Sequence, residues 1–127
     1  MRALLVTPQG VEETEIGYEV EKTRALLKNQ PLPRYEDANL QSMYRLIGCD
    51  LVTVAGCPDD AHDCWVDEEA LLHLANGTQA NKVDWYPEIL FGKLLITGVD
   101  DKGNTTAATM TVEELQSRVK IGALFYG

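Results

Sequence analysis

The chain has 127 residues, 45% hydrophobic and 24% charged, with a formal net charge of −9. That length fits one domain with a core large enough to need no disulfide or metal staples. An acidic balance repels phosphate backbones, which argues against direct DNA or RNA binding, and no apolar run reaches membrane-spanning length.

"RALLVTPQG" opens with a strand-like run, Ala3 to Val6, closed by Pro8 and Gly10, and "VEETEIGYEV" reads as its returning partner. "EVEKTRALLKN" has helical composition, and Pro31 and Pro33 in "QPLPRYED" break it. "DANLQSMYRLIGCD" is a stronger helix. Asp37 or Asn39 can cap it, Leu40, Met43, Tyr44 and Ile47 repeat at i, i+3, i+4, i+7, and Gly48 stops it. "DLVTV" and "CWV" are strands, so "CPDDAHDCW" between and into them, residues 57–65, is a hairpin loop.

"DEEALLHLANG" reads as a short helix ending at Gly77, with Leu71, Leu72 and Leu74 on its apolar face. Thr78 to Asp84 carries no clear pattern, and "WYPEILFG" reads as a loop over a core edge. "KLLITGVDDKGNTTAATM" is the clearest hairpin, turning on Asp-Lys-Gly-Asn. Thr111 and Glu114 form a capping box that starts a last helix, roughly 111–121, with Val112, Leu115 and Val119 inward. The expected fold is α+β, a mixed or antiparallel sheet of about five strands with two to three packed helices.

The charge is uneven. Residues 46–81 hold Asp50, Asp59, Asp60, Asp63, Asp67, Glu68 and Glu69 and no Lys or Arg, whereas residues 1–45 and 82–127 are each net −1. Such a stretch attracts a basic partner surface, and it also serves as a solvated face. Asp59, Asp60, Asp63, Asp67, Glu68 and Glu69 are the candidate protein-binding residues.

Other chemistry fits less well. Cys49, Cys57, His62 and Cys64 are zinc-ligand types, but no C-x2–4-C pair occurs, and the aspartates lack calcium-loop order. A Cys nucleophile paired with His62 or His73 would sit among carboxylates that raise a thiol pKa. No phosphate-cradling glycine loop is present. No catalytic centre, metal or cofactor is therefore expected. Three cysteines make no disulfide framework, and the first apolar run is too short for a signal peptide, which together suggest a cytoplasmic protein. The sequons at Asn76 and Asn104 read as turn chemistry.

The segments "RALLVTPQG", "LQSMYRLIGCDLVTV", "DCWVDEEALL" and "WYPEILFGKLLITGVDDKGNTTAATMTVEEL" resemble, in order, a small domain-of-unknown-function family found largely in bacteriophages and bacterial mobile elements. Leu40-Gln41, Ile47-Gly48, Asp67-Glu68-Glu69, Gly92, Gly98, Asp100-Asp101 and Gly103 occupy the family's short motifs. Cys49 stands where a second glycine would follow Gly48, and "ANGTQANKVDW" replaces a proline- and asparagine-containing step. Residues 17–38 read as an insertion in a single domain, 1–127. The resemblance implies a phage or mobile-element protein made inside bacteria.

The expected role is a non-enzymatic accessory protein that binds a basic host or phage protein through its acidic surface. Counter-defence by nucleic-acid mimicry is one form of it. The alternative is a small-ligand binder for a signalling nucleotide, using Arg24, Lys28, Arg34 or Arg45 with Tyr35, Trp85 or Tyr86. A hydrolase or metalloenzyme built on the Cys57–Cys64 cluster is a third reading.

Overall fold

The computed structural model describes residues 1–125. In chain order the elements are β1 (Arg2–Thr7), β2 (Gly10–Glu15), α1 (Tyr18–Leu27), α2 (Ala38–Ile47), β3 (Val52–Val54), β4 (His62–Asp67), β5 (Gln79–Val83), β6 (Leu90–Phe91), β7 (Leu94–Val99), β8 (Thr105–Thr106), α3 (Val112–Gln116) and β9 (Val119–Ala123). The fold is α+β. Six strands form the main antiparallel sheet in the order β2-β1-β7-β4-β3, with β8 added to β7, and β6-β5-β9 form a second sheet. Among the described residues no helix is long and apolar enough to cross a membrane.

The apolar runs of β1 and β7 are continuous because both strands are covered on both faces. Leu4, Val6, Leu94 and Ile96 turn to one side, where Cys64 and Val66 of β4 meet Val83, Leu90, Met110 and Leu115. Ala3, Leu5 and Leu95 turn to the other, against Ile16, Met43 and Ile47. The main sheet is thus a middle layer between α1 and α2 on one face and the small sheet with α3 on the other.

Helix α2 ends as its sequence dictates: Gly48 is left-handed (φ +82°), and its amide and that of Cys49 return to the Tyr44 carbonyl. At the other end Asp37 does hold the N-cap position, but its side chain makes no capping hydrogen bond, and a 3-10 turn, Tyr35–Asp37, leads directly in. The buried stripe also differs. Ala38, Ser42, Met43 and Ile47 face inward, and Leu40 is exposed. The hydroxyl of Ser42 accepts the Gly17 amide (3.0 Å) and donates to Glu21 (2.8 Å), so α2 rotates a polar residue into its contact with α1.

Three further expectations are corrected. Residues 70–73 form a single 3-10 turn that leaves Leu71 and Leu72 exposed. The unpatterned segment is strand β5: its inward positions are Gln79, Asn81 and Val83, so the period of two is present but carried by amides. Asn81 donates to the carbonyls of Leu90 and Gly92, both at 2.8 Å, and accepts from Gln79; this holds the segment read as a loop as strand β6. The last helix stops at Gln116. Val119 starts β9, which pairs along the whole of β5. Thr111 does cap α3, accepting the Glu114 amide at 3.0 Å.

Strand β8 crosses β7 at Gly98, where a Cβ would overlap the Ala107 carbonyl oxygen. Gly98→Ala is expected to lower unfolding stability in urea by about 1–3 kcal/mol, the usual cost of overpacking. Gly122→Ala, whose Cβ would meet only the Ala80 oxygen at 3.9 Å, should leave it nearly unchanged.

Candidate functional site

The β3–β4 loop begins with Gly56, a left-handed residue (φ +75°) on which the backbone and ring of Trp85 close in. It returns through a turn in which Asp59 Oδ1 accepts the Ala61 amide and the His62 ring, both at 2.8 Å. His62 is the first residue of β4 and points into the core. Its Nε2 accepts the backbone N–H groups of Thr109 (3.0 Å) and Met110 (3.1 Å), which leaves the proton on Nδ1, facing Asp59. One imidazole thus ties the acidic loop to the chain before α3. From the far side Arg2 donates to the carbonyls of Ala108 and Met110.

Arg118 holds the other flank of the loop. It grips Asp84 with two nitrogens (2.7 and 2.9 Å), donates to the Pro58 carbonyl (2.8 Å), and lies 5.3 Å from the centre of the Trp85 ring. Its guanidinium lowers the Asp84 pKa. Partial burial pushes the Asp59 carboxyl up, but the His62 and Ala61 hydrogen bonds and the Arg118 charge outweigh it and hold the group below its ordinary value.

These contacts place the candidate residues in two groups. Asp59, Asp60 and Asp63 surround the exposed Cys57, whose sulfur is 3.4 Å from Asp63 Oδ1. Asp67, Glu68 and Glu69 stand at the other end of β4, about 16 Å along a strand that rises roughly 3.3 Å per residue. There Asp67 accepts the Glu69 amide and the His73 ring, both at 2.8 Å, and with Asp50 flanks Cys49. The acidic stretch is therefore not one surface.

The loop group gains two neighbours, Asp100 and Asp101, that were not among the candidate binding residues. The Val99 amide bonds to the Ala61 carbonyl (2.9 Å), which brings the Asp100-Asp101 turn beside the loop. Asp100 is spent largely on its own turn, accepting the amides of Lys102 and Asn104. The pairing of β4 with β7 carries this information, and a linear charge count does not. The β3–β4 loop, which carries Asp59, Asp60 and Asp63, thus lies beside the turn that carries Asp100 and Asp101, and Arg118 ties Asp84 to the same loop through the Pro58 carbonyl.

The thiols are poorly suited to attack. Burial pushes Cys64 up to about 12, the Trp85 indole N–H pulling the other way and the Asp63 carboxylate adding to the rise. Burial and then Asp67 raise Cys49 to about 11, and burial followed by the Asp63 carboxylate raises Cys57. Both ring nitrogens of His62 are engaged. Among the described residues no three His, Cys, Asp or Glu side chains are placed to share a metal ion.

The model of the family described as Domain of unknown function (DUF3846) matches residues 1–120. The chain belongs to that family. No curated protein and no solved structure matches it. Within this DUF3846 domain the residues of the ligand reading separate. Arg24, Lys28, Arg34 and Arg45 line one cavity, Tyr35 packs beside Tyr18 in the next, and Trp85 and Tyr86 lie at the β3–β4 loop.

Two predictions follow from this geometry. At pH 8 iodoacetamide should label Cys57 first, though more slowly than a free thiol, and Cys64 only after unfolding; early loss of Cys64 would contradict its burial. Because the Asp59 pKa is lowered, its contribution to stability is complete above the ordinary value of 3.8 and is lost as pH falls through the folded value. Asp59→Asn should therefore flatten the acid limb of a stability–pH curve measured by thermal melting.

Proposed function

We propose that this DUF3846 domain is a non-enzymatic accessory protein of a phage or mobile element, working in the cytoplasm of the bacterial host. It docks a basic surface of a host or phage protein on the acidic end of its main sheet. Asp59, Asp60 and Asp63 from the β3–β4 loop, joined by Asp100 and Asp101 from the neighbouring turn, are the observation that carries this reading. The two nitrogens of the His62 ring and one arginine hold the loop, so its carboxylates are offered from a fixed frame and lose little freedom on binding.

A carboxylate row of this kind meets lysine and arginine where phosphates would otherwise sit, which suits a DNA-binding or defence protein as partner. A binding role is favoured over catalysis by the chemistry of the same loop. Its thiols are held protonated, and its histidine has no free nitrogen with which to take a proton.

The test is a pull-down from host lysate followed by affinity measurement with the captured protein. A basic partner is expected, released by salt. Asp60→Lys combined with Asp63→Lys and Asp101→Lys should weaken binding by about tenfold or more, leaving the Asp59–His62 pair intact. Glu12→Lys with Glu88→Lys and Glu113→Lys changes the charge equally elsewhere and should have little effect. Equal losses in the two variants, or none in the first, would sink the proposal.

A further inference from the structure

Four of the chain's eleven basic residues, Arg24, Lys28, Arg34 and Arg45, line one cavity of about 420 Å³. It lies between α1, the segment running from Gln30 to Arg34, and α2, and none of the acidic sheet-end residues contributes to it. Glu21 and Asp37 also line it, paired with Arg45 and Arg34, so four cations against two carboxylates leave a positive lining in a chain of net charge −9.

Each cation is positioned differently. Arg45 is fixed: its guanidinium meets Glu21 (2.9 Å), Glu21 accepts the hydroxyl of Ser42, and Ser42 is fully buried and bonded to the Gly17 amide. Arg24 and Lys28 are four residues apart at the end of α1, so they project on the same side. Neither has a carboxylate within ion-pair distance among the described residues. Arg34 stands three-quarters exposed at the rim, clasping Glu36 and Asp37, and an exposed pair of this kind is held weakly enough to be redirected. Pro31 and Pro33 each fix one backbone torsion, φ, in the outer wall, which lowers the ordering that the cavity needs before it is filled.

We infer that this groove binds a small molecule bearing a phosphate or pyrophosphate group. Arg24 and Lys28 take the anionic oxygens, and Arg45 is the preset third donor. Guanidinium groups match phosphate oxygens in a planar fork, and two unpaired cations beside a fixed one suit a group of two or more negative charges. The volume, about 420 Å³, falls within the roughly 300–1,000 Å³ of small-molecule sites, so it has room for a phosphate that carries an organic body. The acids of the remaining surface repel a long polyanion, which favours a free small molecule over a nucleic acid.

Isothermal titration with ADP, pyrophosphate, adenosine and a single-stranded oligonucleotide tests the inference. ADP and pyrophosphate should bind saturably and more weakly as salt rises, and adenosine should not bind. Arg24→Gln combined with Lys28→Gln should cost at least about tenfold in affinity with the ligand-free melting temperature shifted by only a few degrees, since neither side chain has an ion-pair partner among the described residues. Lys82→Gln with Lys120→Gln should cost nothing. Absence of saturable binding by both phosphate compounds would overturn the inference. So would undiminished affinity in the Arg24/Lys28 variant, equal affinity for adenosine, or tighter binding of the oligonucleotide. None of these outcomes bears on the acidic sheet end.

Discussion

Burial of both faces of β1 and β7 is the constraint from which the rest of this domain follows. Strands covered on both sides need two covering layers, and this chain supplies them unequally. One is a pair of helices joined through a buried serine. The other is a three-stranded sheet whose middle strand turns two amides inward. Each layer is fastened by a few polar contacts rather than by apolar area alone, so its register is specified as well as its presence.

The same economy builds the surface sites. His62 and Asn81 are buried polar residues whose hydrogen bonds shape chain that has little other reason to be ordered. His62 holds the segment before α3, and with it the loop whose aspartates form the acidic sheet end. Asn81 holds the short strand that follows the Trp85-Tyr86 corner. A buried amide or imidazole left without its partners costs more than the bond itself contributes, which makes these contacts stringent. Glu21, Ser42 and Arg45 play the corresponding part in the helix layer, where the guanidinium so held lines the groove shared with Arg24 and Lys28.

Much of this architecture was legible in the sequence. The central strands, the β7–β8 turn, the Gly48 stop and the Thr111 cap each rest on a local signal that the structure keeps. Strand β5 escaped because its inward residues are Gln79 and Asn81, and apolar periodicity sees only Val83. The end of α3 escaped because Val119 continues a helical stripe equally well, and only pairing with Val83 makes it a strand. The acidic residues were visible as a composition, but their division between the two ends of β4 was not. Nor was the arrival of Asp100 and Asp101, which come to the loop through a strand pairing that joins residues far apart in the chain.

Gathering carboxylates at one sheet end and unpaired cations in a helix groove gives the molecule an electric dipole. In the field of a charged neighbour such a body rotates before it touches, so fewer diffusive encounters arrive in the wrong orientation. The effect acts over about 8 Å at physiological ionic strength, a distance comparable to the thickness of one covering layer. Charge placement of this kind speeds a first encounter with a charged neighbour, and a rigid loop or groove lessens the freedom lost in any contact that follows.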